Sequence, residues 1–307
     1  MSVLETVGLT KRFGKAQALA GVDLSMETGE IYGFIGPNGA GKSTTIRVLL
    51  GIIRASRGVA RIFGKDAWSD AVQIHERIAY VPGDVNLWNN LSGGEVIDLF
   101  LRLRKGHDRH YRNELIERFD LDPTKKCGTY SKGNRQKVAL VAAFSADADL
   151  YILDEPTSGL DPLMELIFRQ CVAEAKAAGA SVFLSSHILS EVEHLCDRIS
   201  IIRQGRIIDS GSLAEMRHLT RNKVTLEAAA PLDGLALLPG VHDLVMTNEA
   251  AANTAGRGAT TGNTVSFSLD NTQTSALLAF LADRDVRHFV STPPTLEELF
   301  MSHYEGR

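Results

Sequence analysis

The string Gly36-Pro37-Asn38-Gly39-Ala40-Gly41-Lys42-Ser43-Thr44 constrains this chain more than any other feature. It follows the apolar run Ile31-Tyr32-Gly33-Phe34-Ile35, which reads as a buried strand. It precedes Thr45-Ile46-Arg47-Val48-Leu49-Leu50, which reads as the opening of a helix. Strand, glycine-rich turn and helix, in that order, are the context that a G-x-x-x-x-G-K-[ST] match requires. Glycines let the backbone curl so that successive N–H groups face inward, and the helix start adds free N–H groups and partial positive charge. A loop built this way holds phosphate. Lys42 is placed to reach the β- and γ-phosphates, and the Ser43 hydroxyl to ligate Mg²⁺. The chain is thus expected to bind a nucleoside triphosphate.

With 307 residues and a net charge of −4, the chain is long enough for one large domain and a small one. No apolar stretch approaches the roughly 20 residues that a membrane-spanning helix needs. Residues 1–6 carry neither a basic nor an apolar leader segment, so nothing points to secretion. Cys127, Cys171 and Cys196 are far apart and lack metal-ligand spacing, as expected of buried thiols in a reducing cytoplasm. A mildly acidic chain argues against a nucleic-acid partner. The basic cluster Arg102, Arg104, Lys105, Arg109 and Arg112 around Gly106 reads as a solvated surface between two helices, or as a contact for nucleic acid or anionic lipid.

Apolar runs and helical patterns alternate to about residue 210, the signature of an α/β domain. Strands are expected over residues 3–9, 18–26, 30–35, 59–63, 78–81, 150–153 and 181–184, with a closing hairpin over 198–203 and 206–209. Helices are expected over 134–146, 163–178 and 189–195. Residues 93–104 and 112–119 also read as helical without neighbouring strands, which suggests a helical insertion over about 88–145. After His218 alanine, threonine and asparagine dominate, and residues 248–263 form a small-residue loop. Strands over 223–226, 242–246, 264–269 and 286–291, a helix over 272–282 and a terminal helix from near Thr295 describe a small α+β domain. The expected division is 1–218 and 219–307.

Leu150-Tyr151-Ile152-Leu153-Asp154-Glu155 is an apolar strand ending in two carboxylates. That places both acids at the carboxyl end of a central strand, where α/β proteins bind ligands. Asp154 is suited to hold Mg²⁺, and Glu155 to orient and deprotonate an attacking water.

With these motifs in order, the chain resembles the nucleotide-binding subunits of ATP-binding cassette (ABC) transporters over about residues 2–217. Glu155-Pro156-Thr157-Ser158-Gly159-Leu160-Asp161-Pro162 is similar to Walker B running into the D-loop of that family. Ser185-Ser186-His187 resembles its switch histidine, which contacts the γ-phosphate. Tyr130-Ser131-Lys132-Gly133-Asn134-Arg135-Gln136, about twenty residues before Walker B, resembles its signature sequence. Phe13, within Lys11-Arg12-Phe13-Gly14, stands where an aromatic stacks on adenine. The resemblance implies a P-loop NTPase (RecA-like) α/β core with an antiparallel β subdomain, ATP and Mg²⁺ as cofactors, and two such subunits. One would supply residues 36–44, Asp154, Glu155 and His187; the other would grip the same nucleotide through Ser131 and Gly133. An N-cap is an equal use for Ser131, and core packing for Phe13.

Leu91-Ser92-Gly93-Gly94-Glu95 is closer in letters to the signature consensus, but lies about sixty residues before Walker B. Ser92 and Glu95 there read as a helix capping box. Where the family carries a Q-loop glutamine after Tyr80-Val81-Pro82, this chain has Gly83-Asp84; Asp84 offers an oxygen toward Mg²⁺ in its place. Lys132 and Asn134 also replace usual signature residues. The resemblance further implies a cytoplasmic ATPase, peripheral on the inner face of the membrane through a separate permease. Residues 130–138 and Pro293-Pro294-Thr295-Leu296-Glu297-Glu298-Leu299-Phe300 are similar to bacterial drug and antibiotic export ATPases. The alternative is a soluble ABC ATPase acting on the ribosome or nucleic acid.

Overall fold

In the computed structural model, which describes residues 2–103, 109–218, 221–247 and 263–293, the chain divides into two units, Met1–Ser212 and Leu213–Arg307. The division falls ahead of the 218/219 boundary expected from composition.

The first unit contains β1 (Ser2–Phe13), β2 (Ala16–Glu27), β3 (Ile31–Ile35), α1 (Lys42–Leu49), β4 (Arg57–Ile62), β5 (Lys65–Asp66), α2 (Ala71–His75) and β6 (Ile78–Val81). There follow α3 (Gly93–Arg102), α4 (Arg109–Arg118), α5 (Lys132–Phe144), β7 (Leu150–Asp154), α6 (Pro162–Ala177), β8 (Ser181–Ser186), α7 (Leu189–Leu195), β9 (Arg198–Arg203) and β10 (Arg206–Ser212). β2, β1, β4 and β5 form an antiparallel sheet in that order. The second sheet runs β10-β9-β3-β8-β7-β6, parallel except for the edge strand β10. Its central strands β3, β7 and β8 are buried along their whole length, which is why they read as continuous apolar runs rather than alternating ones. Leu9, Leu19 and Val22 of the antiparallel sheet share one core with Phe34, Ile46 and Phe183 of the parallel layer. α3 and α4 both pack on α5, making the helical insertion.

β1 extends past the residue 9 expected for it, because pairing with β2 continues to Phe13 across several register shifts. β5 and α2 were not expected; each is too short to leave a periodic signal.

Register fixes the site. Ile35 at the end of β3 pairs with Ser186 of β8, and Asp154 at the end of β7 pairs with Ser185. The residues that follow, Gly36, Glu155 and His187, therefore leave the sheet side by side at its carboxyl edge.

The second unit comprises α8 (Leu213–His218), β11 (Asn222–Ala228), β12 (Val241–Thr247), β13 (Asn263–Leu269), α9 (Thr274–Leu281) and β14 (Val286–Thr292). Its antiparallel sheet has the order β12-β13-β11-β14. Val224, Leu226 and Phe267 pack with Leu277 and Leu281 of α9 in a core of its own. Most of the 248–263 loop, the helix expected from Thr295 and the residues Arg104, Lys105 and Gly106 lie outside the described residues.

Candidate nucleotide-binding and hydrolytic site

The loop from Gly36 to Gly41 is wedged between two supports. A Cβ at Gly36 would lie 2.4 Å from the Ile202 carbonyl oxygen, so only glycine lets the loop pass β9. Ala40 accepts a backbone hydrogen bond from Gly205 at 2.8 Å, and Gly205 in turn accepts one from Ala20 of β2. The β9–β10 turn thereby ties the loop to the antiparallel sheet. Pro37 is half-buried, Asn38 and Gly39 are exposed, and Ala40 is buried. α1 starts at Lys42, directly after this loop, so the free first-turn N–H groups of a helix follow on it. Ser43 is exposed on that turn, and Thr44 half-buried.

Lys42 is only 5% exposed, and a buried ammonium requires partners. It donates to the Gly36 carbonyl at 2.6 Å and lies 3.5 Å from Glu155 Oε1. His187 Nδ1 is 3.3 Å from that same oxygen. The structure thus brings Lys42, Glu155 and His187 together at one point. His187 is half exposed, so packing does not explain its placement.

Glu155 adopts a left-handed backbone, φ 47°, which is strained for a residue with a side chain. Its N–H donates to the Ser185 carbonyl at 3.0 Å, holding that turn. Asp154 behind it is 5% exposed and accepts from Ser185 Oγ at 2.5 Å. Burial pushes the nearby Tyr80 hydroxyl up to about 12, with the Asp154 charge adding to the effect and Arg47 opposing it. Among the described residues no cluster of three or more His, Cys, Asp or Glu side chains is arranged to hold a metal alone. The donor set here is one carboxylate, Asp154, and one hydroxyl, Ser43, on elements that touch each other. One carboxylate and one hydroxyl are donors of the kind Mg²⁺ takes, with its other positions left to phosphate and water.

The signature segment docks on the residues after Glu155. Ser131 caps α5, its Oγ accepting from the Asn134 N–H at 3.2 Å. Lys132 Nζ donates to Ser158 Oγ at 2.7 Å, and Gln136 Nε2 to the Pro156 carbonyl at 2.9 Å. Gly133 rests against Gly159, whose carbonyl oxygen would be 2.4 Å from any Cβ. Among the described residues neither Ser131 nor Gly133 bonds to the 36–44 loop. Ser92 and Glu95 form the expected capping box, with bonds of 2.6 and 3.2 Å.

Two residues stand apart. Phe13 is 51% exposed at the end of β1, with the Lys11 ammonium 4.9 Å from its ring centre, and is no part of the core. Asp84 is exposed beyond β6 and accepts from Asn86 Nδ2 at 3.4 Å. Its neighbour Gly83, not Asp84, lies against Asp154: a Cβ at Gly83 would be 3.1 Å from the Asp154 carbonyl oxygen. Ser185 and Thr157, which brace Asp154 and the segment beyond it, stand in the quoted motifs without a role of their own, and Glu191 is in none of them.

A parallel sheet with a buried loop lysine, an aspartate behind and a Glu–His pair at its carboxyl edge defines a P-loop nucleotide-binding cassette. The ABC transporter family pattern matches residues 19–158. An uncharacterised ABC transporter ATP-binding protein of Nostoc sp. is 41% identical over 209 residues, covering 66% of this chain and 62% of that protein. The daunorubicin resistance ATP-binding protein DrrA3 of Streptomyces coeruleorubidus is 36% identical over 241 residues, covering 76% of each. The solved ATP-binding subunit of an ABC transporter superposes with a TM-score of 0.66 at 33% identity, covering 71% of this chain and 92% of that one. A dimeric ABC cassette bound to ADP and phosphate shares the fold, with a TM-score of 0.62 at 22% identity over 68% of this chain and 98% of that one. The chain belongs to the ABC transporter ATP-binding proteins.

Proposed function

We propose that this chain hydrolyses ATP, sandwiched between two copies, and drives a separate membrane permease. The observation that carries this reading is the meeting of Lys42, Glu155 and His187 at the carboxyl edge, with Asp154 directly behind. The 36–41 backbone and Lys42 would bind the phosphates, with Thr44 on the same helix turn, while Ser43 and Asp154 would hold Mg²⁺. When bound, Mg²⁺ neutralises charge that develops on the phosphate oxygens. Glu155 accepts a proton from water, and His187 orients the Glu155 carboxylate by its contact at 3.3 Å. Phe13, exposed on its hairpin, would stack on adenine. Ser131 and the Gly133 N–H would act on the nucleotide held by the other copy, at the N-terminus of α5. Their lack of bonds to the 36–44 loop of their own chain supports that arrangement, as does the dimer in which a cassette of this fold was solved.

We further infer a permease partner, a cytoplasmic place on the membrane's inner face, and export of a drug or other hydrophobic compound, by analogy with the relatives. DrrA3 is named for daunorubicin resistance, which favours transport over work on ribosomes or nucleic acid. No described helix is long and apolar enough to cross a membrane, so any crossing would fall to another chain or segment. The 219–307 segment would be accessory or regulatory, and Asp84, exposed beyond β6, would have to move toward Asp154 to stand in for the Q-loop glutamine. Phosphate release from Mg-ATP by the full chain, abolished by a chelator, together with co-purification of a membrane protein, is the expected result. Absence of ATP binding or turnover, with or without that membrane protein, would contradict it.

A further inference from the structure

Glu191 is a buried carboxyl that the chemistry above does not use. It sits on the first turn of α7 and is 3% exposed. Thr157 Oγ1 donates to its Oε1 at 2.6 Å, and Ser186 Oγ donates to its Oε2 at 3.0 Å. Thr157 lies two residues after Glu155, and Ser186 immediately precedes His187. One carboxylate therefore bridges the segment that leaves β7 and the end of β8.

The bridge closes a ring. On one side Glu155 Oε1 meets His187 Nδ1; on the other Thr157 and Ser186 meet on Glu191. Between them stands the left-handed Glu155, a conformation that persists only where its surroundings over-determine it. The Ser185 carbonyl restrains the start of that turn and Glu191 its far end. Glu191 is itself well anchored: its neighbour Val192 packs on β3 so closely that a Cβ at Gly33 would lie 2.5 Å from Val192 Cγ1. Burying a carboxyl away from water is costly, and a stable core needs none here. Burial pushes Glu191 above the usual carboxylate range, against the bonds from Thr157 and Ser186; Glu165 adds to the rise and Arg169 opposes it.

We propose that Glu191 is a positioning residue for hydrolysis, holding the segment after Glu155 to the strand end before His187 so that these two side chains meet. This rests on the ATPase reading. Glu191→Ala should lower kcat at least about tenfold while the KM for ATP moves less than about twofold, since the phosphate loop is untouched. Glu191→Gln fills the same space and keeps an oxygen for one hydroxyl, so it should return kcat to within about threefold of wild type. In a His187→Ala background, Glu191→Ala should cause no further loss, because residues acting as one unit are non-additive.

The experiment is steady-state phosphate release by the full chain carrying each variant, with binding of a fluorescent ATP analogue and thermal melting run in parallel. A lower melting point with unchanged kcat, a raised KM at constant kcat, or losses that multiply with His187→Ala each overturn the proposal. If Glu191→Ala does not fold, Glu191→Gln paired with Thr157→Val supplies the same kcat and KM comparison. An inactive wild type overturns the ATPase reading and this inference with it. An active wild type beside a fully active Glu191→Ala overturns this inference alone.

Discussion

Replacing Gly133 by Ala adds one methyl group where α5 rests on the segment after Glu155. The new Cβ would lie 2.4 Å from the Gly159 carbonyl oxygen, whereas ordinary contact begins at 3.4 Å. One backbone must therefore retreat from the other by about 1 Å, at a joint where Gly133 is half-buried and Gly159 exposed. Neither side gives easily, because Gln136 bonds to the Pro156 carbonyl and Lys132 to Ser158 across the same joint. Overpacking a core costs roughly 1–3 kcal/mol, and the backbone-to-backbone clash with bonds on both sides keeps this half-buried joint within that range. At about 2–4 °C per kcal/mol for a unit of this size, the melting point should fall by about 2–12 °C. Turnover should suffer more, since about 1 Å of misplacement at an N–H proposed to grip phosphate can cost about 100-fold. ATP binding by the dilute single chain should move less than about twofold, because Gly133 is assigned to the nucleotide of the other copy. Gly39→Ala is the thermal comparison: its φ is 80° but nothing lies within 4 Å of the added Cβ, leaving roughly 1–2 kcal/mol of backbone strain without a clash. Calorimetry, phosphate release and titration with a fluorescent ATP analogue read the three quantities. A Gly133→Ala protein that melts and turns over like the wild type would show that the Gly133–Gly159 contact limits neither stability nor turnover.

Glu155→Gln keeps the shape of the side chain but removes the charge proposed to accept a proton from water. ATP affinity should stay within about twofold while phosphate release falls at least about 100-fold; retained release would remove Glu155 from that role. Away from the site, Arg118 grips Glu174 at 2.8 and 2.9 Å and holds its carboxyl below the ordinary 4.5. A carboxyl depressed on folding contributes stability that is whole above its unfolded pKa and lost as pH falls through its folded one. Arg118→Ala should therefore cost up to about 1 kcal/mol at neutral pH. Denaturant titrations should show the gap from wild type narrowing as pH drops below 4.5; a constant gap would count against the pairing.

What could be read from sequence was what the chain encodes locally. The 36–44 string, the strand ending in Asp154-Glu155 and the Ser92–Glu95 capping box each fit within a few residues, and each stands in the structure where its context placed it. The elements that failed to show are those whose reason is distant in the chain. β1 looks finished at Leu9 because its alternation breaks there, yet β2 keeps pairing with it to Phe13. This is what puts Phe13 on an exposed hairpin rather than in the core. Ser131 was ambiguous between a cap and a phosphate ligand, since both uses start from the same hydroxyl at the same helix end. Glu191 was invisible for a different reason. An acid in the first turn of a helix is the ordinary complement to its dipole, and only the packing of α7 on β3 turns it inward to Thr157 and Ser186.

In the proposed arrangement each copy completes the nucleotide pocket of the other. Mixing Ser131→Ala with Lys42→Ala subunits in equal amounts tests it, because each variant alone should be inactive at both sites. Random pairing makes half of the dimers mixed, each with one intact pocket, so the mixture should recover about a quarter of wild-type phosphate release. Recovery no greater than that of either variant alone would show that Ser131 and Lys42 do not act across two copies.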